Sequence, residues 1–325
     1  MSPRLTMSIG ALTIVFLTHI PVVAQTLSEV KAAQSLKTWT PPRTPDGQPD
    51  LQGIWTNFQG VPLQRPKELG AKEFYTKEEA AERAKRGVQT DRPTLPEAHY
   101  DLSQFGLASE QEQVAPNLRT SLIVGPDGRI PPQTPEAQKR NAERAAKANG
   151  HEFDGPETRP LAERCILWAQ EGPPTLPTGY NSNLQIVQGP GYVAILQEMI
   201  HDVRIIPTDG RPHVPQNIRL WRGDSRGHWE GNTLVIDTTN FTARTAFQGS
   251  SENLHVVERL TRTGEDSILY EFTADDPATW TWTAQLPWAK TQGPIYEYAC
   301  HEANYGMANN LSGARAEESA KRPAH

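Results

Sequence analysis

The chain has few cysteines, no basic excess and no long apolar run, and each shortage excludes something. Only two of its 325 residues are cysteines, Cys165 and Cys300, so at most one intrachain disulfide can form. The net charge is −6, with no dominant block of one sign. The clustered basic face of a nucleic-acid-binding surface is therefore missing. The one sustained apolar run, "IGALTIVFL" at 9–17, is too short for a stable membrane span. No G-x-G-x-x-G, P-loop, G-x-S-x-G or H-E-x-x-H pattern occurs, so Rossmann, P-loop and α/β-hydrolase readings have no support.

What is present begins with an export signature. Arg4 supplies a positive start, residues 9–17 an apolar core, and "VVA" at 22–24 the small residues of a cleavage site. This reading divides the chain into a signal peptide at 1–24, an extended lead-in at 25–50, one domain over 51–310 and a disordered tail at 311–325. The expected location is the periplasm or outside the cell, with no stable membrane span after cleavage. In such an oxidising compartment an isolated cysteine pair most simply forms a disulfide, Cys165–Cys300; two buried free thiols are the alternative.

Proline (28) and glycine (24) are plentiful and mean hydropathy is −0.60, which fits short strands and many turns. Two polar helices are predicted, at 75–86 with Thr76 as cap and at 134–149 with Thr134 as cap. Between them, Pro126-Asp127-Gly128 predicts a hairpin. From about 184 onward, eight short strand patterns follow one another, ending with "PIYEYACHE". This rhythm predicts an antiparallel meander that can close into a β-barrel. Gly53-Ile54-Trp55 resembles the G-x-W signature of lipocalins, whose tryptophan plugs one end of the barrel. The expected fold is a mainly β, lipocalin-like (calycin) barrel with polar helical excursions.

Alternation assigns strand faces. Ala194, Leu196 and Glu198 share one face; Val256, Glu258 and Leu260 share another; Ile268, Tyr270 and Phe272 share a third. Glu198 and Glu258 thus interrupt otherwise apolar faces. A carboxylate there must find a partner or raise its pKa, which marks either a site or a structural ion pair with Arg204 or Arg259. The histidines, His201, His213 and His255 among them, lack the spacing of a metal site, and neither metal nor cofactor is expected. One or two of them fit hydrogen-bonding or general-base roles. Trp and Tyr residues near polar groups, Trp229 and Tyr180 included, could stack on a sugar or an aromatic ring, or simply fill the core.

Together, "RTPDGQPDLQGIW" (43–55), "IVQGPGYVAILQE" (186–198), "DGRPH" (209–213), "WRGDSRGHWEGNTLVIDTT" (221–239), "LHVVERLTR" (254–262) and "YEYACHEANYG" (296–306) resemble a broad group of uncharacterised exported proteins of soil-dwelling bacteria. The resemblance covers most of the mature chain and carries no established activity. It implies a disulfide and a shared polar site drawn from Glu198, His201, Arg204, His213, Trp229, His255, Glu258, Cys300 and Glu302.

Two functions are expected from these residues. One is a binding protein whose barrel holds a small amphipathic molecule, aromatic or glycoside-like. The other is a cofactor-free acid–base lyase, isomerase or hydrolase. In the second, His255 or His213 is the base, Glu198 or Glu258 the acid, and Arg204 holds an anionic oxygen, with His201, Trp229, Tyr180 and Glu302 contacting the ligand. Both require Glu198, Arg204, His213 and His255 to converge in one pocket. A weaker third reading is an envelope protein with a solid barrel and a partner-binding surface.

Overall fold

The alternating strands do what period-two patterning demands: they pair as a meander and turn their apolar residues to one side. The computed structural model describes residues 39–58, 60–90, 117–168, 170–178 and 180–321; the signal-peptide region lies outside them. Apart from Trp39 and Thr40, these residues form one unit, Pro41–His325.

Nine strands make a single antiparallel sheet. They are β1 (Gly53–Thr56), β2 (Asn183–Gly189), β3 (Tyr192–Gln197), β4 (Val203–Pro207), β5 (Asp224–Glu230), β6 (Thr233–Thr239), β7 (His255–Gly264), β8 (Ser267–Asp276) and β9 (Trp280–Lys290). The order is β4-β3-β2-β1-β9-β8-β7-β6-β5, so β4 and β5 are the two edges. These edges lie against each other and bring the sheet nearly to closure as a barrel. At the seam, a Cβ on Gly227 would stand 3.0 Å from Ile206 and Thr208 side chains, so β5 approaches β4 closely at a residue without one.

The barrel centre is filled. Tyr270 stacks on Trp288 at 4.6 Å, and Phe272 meets Trp282 edge-on at 5.4 Å. Trp55 of the G-x-W is fully buried; its indole N–H donates to the Leu51 carbonyl and the Arg262 guanidinium lies over its ring at 5.6 Å. One end of the barrel is closed by tight turns at 189–192, 230–233 and 264–267. The other end, the mouth, receives the long excursions 57–134, 165–182, 213–223 and 240–254.

Both predicted helices form, as α1 (Lys77–Thr90) and α2 (Pro135–Ala148). Thr76 and Glu79 cap each other's backbone N–H at the start of α1, and Thr134 accepts from Ala137 N–H at the start of α2. Three expectations are corrected. The stretch around Pro126-Asp127-Gly128 turns but makes no hairpin; Ile123 bridges Ala284 of β9 instead, beside the short β1. "PIYEYACHE" is not a strand, because β9 has already ended at Lys290 and the Cys165 bond draws this segment away. The tail expected to be disordered is helical over Tyr305–Lys321 (α3), an exposed helix supported by an Arg315–Glu318 pair. The Cys165–Cys300 disulfide is formed. Among the described residues no helix is long and apolar enough to cross a membrane.

Candidate functional site

The candidate residues fall into four places rather than one. The first is inside the barrel. Arg204 of β4 and Glu258 of β7 both point inward, and Arg204 Nη2 lies 2.8 Å from Glu258 Oε2. The Tyr270 hydroxyl donates to Glu258 Oε1 at 2.7 Å and accepts from Thr175 N–H at 2.9 Å. Burial and the Glu258 charge push the Tyr270 phenol well above its usual pKa, so it remains a donor. The ion pair is a contact of charges: Arg204 Nε and Nη1 make no hydrogen bond among the described residues. Of the two readings open for Glu258, the structural pair with Arg204 is the one formed.

Thr175 belongs to a plug that enters the mouth. Gly172 has φ +76°, and a Cβ there would stand 2.3 Å from the Pro174 backbone, so this turn admits only glycine. Arg222 holds the plug: its Nε donates to the Gly172 carbonyl at 3.1 Å, and its Nη1 meets Asp202 Oδ2 at 2.6 Å. Gln197, on the inward face of β3, donates to the Glu171 carbonyl and accepts from Arg222. The buried Glu171 carboxylate takes one N–H, from Trp168 at 3.2 Å, and its Oε1 has no partner among the described residues. Burial pushes its pKa up to about 7, against the pull of Arg222.

The second place is a cavity of about 250 Å³ at the rim of the mouth. Val61, Leu63, Leu122, Leu176 and Phe247 give it apolar walls, while Gln170, Thr245 and Gln248 supply polar groups. Phe247 stacks on Trp282 at 5.9 Å, joining the rim to the core. Ala246 and Gln248, on either side of it, have φ of +44° and +49°. Two non-glycine residues in this region are costly, and such strain concentrates at ligand-contacting loops.

The third place is the outer face of β6 and β7. Asp237 bridges two imidazoles: His255 Nε2 lies 2.7 Å from its Oδ2, and His213 Nε2 lies 2.9 Å from its Oδ1. His213 Nδ1 reaches Asp224 Oδ2 at 2.9 Å, so both its ring nitrogens face carboxylates. Burial opposes the Asp237 charge, yet the His255 and His213 hydrogen bonds and charges prevail and hold its pKa below the usual value. The Asp237 hydrogen bond raises the His255 pKa, against partial burial and with help from the Asp237 and Asp275 charges. His213 also borders a cleft of about 330 Å³ with Arg219, Glu252 and Asn253. Among the described residues no group of three or more His, Cys, Asp and Glu side chains could hold a metal ion.

The fourth place is a wide cleft of about 850 Å³ beside the disulfide, which brings Tyr180 and Glu302 together.

Glu198 joins none of these. Strand β3 ends at Gln197, and the buried Glu198 carboxylate accepts from Asn183 N–H at 3.3 Å and Tyr296 N–H at 3.0 Å. It fastens the segment after β9 to the barrel. Trp229 faces inward near the closed end and packs on the core. His201 sits in the turn after β3; its side chain lies outside the described residues. The structure thus pairs Arg204 with Glu258 and His213 with His255, on opposite faces of the sheet.

Asp237, Glu171, Arg222 and Gln197 are absent from the sequence-based set. Asp237 carried a signal, since aspartate is disfavoured inside an apolar strand such as "TLVIDTT". Glu171 carried none: it lies in an aperiodic stretch that is buried by tertiary contacts alone.

No family model, curated protein or solved structure matches the chain.

Proposed function

We propose that the protein is an exported binding protein that holds a small amphipathic molecule, aromatic or glycoside-like, at the mouth of its barrel. The carrying observation is the rim cavity: apolar walls for a planar body, with amide and hydroxyl groups for its polar edge. The ligand enters the rim and not the barrel centre, where aromatic side chains occupy the space. The strained Ala246–Gln248 loop and its stacked Phe247 supply a preorganised wall. The disulfide supports a periplasmic or secreted location.

The test uses the tryptophans behind Phe247 as reporters. Titration with para-nitrophenyl glucoside and with ferulate is expected to quench Trp280 and Trp282 emission saturably. Leu63→Trp, which fills the cavity from a half-buried wall position, is expected to weaken binding at least roughly tenfold with the melting temperature retained. Absence of saturable quenching by both probes, or indifference to Leu63→Trp, overturns the reading.

A specific arrangement favours a second reading, a cofactor-free acid–base enzyme. Asp237 orients and charges His255 beside the cleft that His213 borders, as a carboxylate orients a catalytic imidazole. Glu258 is behind the sheet and takes no part in this version. Turnover of an ester or glycoside probe that disappears in His255→Ala, with the fold intact, would establish it.

A further inference from the structure

The wide cleft beside the disulfide lies outside the rim cavity and the proposal above. One wall is the 160–168 segment and the other is 297–304; Cys165–Cys300 ties the two together. Asn304 adds a second tie, donating to the Glu163 carbonyl at 3.0 Å. Between the walls, Trp168 and Tyr180 meet edge to face, with centroids 6.4 Å apart and planes at 66°. The Tyr180 side chain is 44% exposed, an uncommon cost for a tyrosine that serves no packing role. Four of the chain's eight tyrosines, Tyr180, Tyr296, Tyr298 and Tyr305, fall in or beside this one cleft. Polar side chains surround the rings: Asn181 and Asn304 supply amides, and Glu297 and Glu302 supply exposed carboxylates.

We infer that this cleft is a binding site for a neutral saccharide. The C–H faces of a pyranose pack on exposed aromatic rings, while its hydroxyls need the amide and carboxylate partners that stand around them here. The open shape suits a chain of sugars better than an enclosed small molecule. Its charge selects further. Glu163 is paired with Arg159, but Glu297 and Glu302 leave the cleft acidic, so polyuronates are disfavoured. Leu167 lines the rim cavity and Trp168 this cleft, so the two sites sit on either side of one strap and can be disabled separately.

Affinity electrophoresis of the full mature protein tests this. Hydroxyethyl cellulose or arabinoxylan in a native gel is expected to retard it, and polygalacturonate is expected not to. Tyr180→Ala should abolish the retardation with an unchanged melting temperature, because the Tyr180 contact to Thr178 is made by its backbone carbonyl. Leu63→Trp should leave the retardation intact, which separates this site from the rim cavity. Unhindered migration of the unaltered protein in both neutral gels overturns the assignment. So does retardation of Tyr180→Ala equal to that of the unaltered protein, or stronger retardation by polygalacturonate.

Discussion

Strand β7 carries Glu258 and His255 on opposite faces, and the difference between those faces decides what each residue does. Glu258 is wholly buried and meets one cation, Arg204, also buried. Its charge has nowhere to go, so it works as a fixed part of the core. His255 is over a third exposed and meets Asp237, itself shared with His213. Its proton exchanges with solvent, so it can report or transfer protons. The same residue chemistry is structural inside the barrel and chemically available outside it.

The interior pair offers the largest effect. Arg204→Met leaves the Glu258 charge without its cation and should cost about 3–5 kcal/mol in urea unfolding. Adding Glu258→Gln removes the stranded charge, keeps an acceptor for Tyr270, and should recover most of that loss. A single-variant cost below about 1 kcal/mol would mean the pair behaves like a surface one, and the contrast between the faces would collapse.

Glu171 sharpens the contrast, since it is buried like Glu258 but has no cation on its free oxygen. Its folded pKa of about 7 stands above its ordinary 4.5. A raised acid favours the folded state where it is protonated. That stability is fully present below the unfolded value and is lost as pH rises through about 7. Glu171→Gln should therefore stabilise the protein by about 1–3 kcal/mol near pH 8 and hardly at all near pH 5. Thermal unfolding across that range checks it; equal shifts at both ends would show that Glu171 does not titrate in the folded protein.

These two cases also show what could be read in advance. Alternation along β7 and β8 put Glu258 and Tyr270 on inward faces, because a strand that buries one side admits only one register. It could not say which arginine would answer Glu258, since β4 reaches β7 only through closure of the sheet. It erred on Glu198, for face assignment fails once a strand ends and the chain turns. Convergence of Arg204 with His213 and His255 failed for a plainer reason: Glu258 and His255 are an odd number of residues apart and cannot share a face. Asp237 was legible as a misfit in an apolar strand, while the Glu171 plug depends on contacts between excursions that have no period.

The outer face offers the smallest effect and the most specific signature. The raised His255 pKa contributes stability that is fully present below its unfolded value of 6.5 and lost as pH rises through the folded value. The lowered Asp237 pKa contributes stability that is present above 3.8 and lost as pH falls through its folded value. Their pairing therefore acts in the window between, widest at mildly acid pH. Both side chains are more than a third exposed, so solvent screening holds the cost of His255→Gln below about 1 kcal/mol. That cost should appear near pH 5.5, vanish near pH 9, and shrink in high salt. Asp237→Asn should bring the His255 proton resonance back to an ordinary titration in NMR. An unchanged His255 titration in that variant would place the cause of the shift elsewhere and remove the basis for an acid–base role on this face.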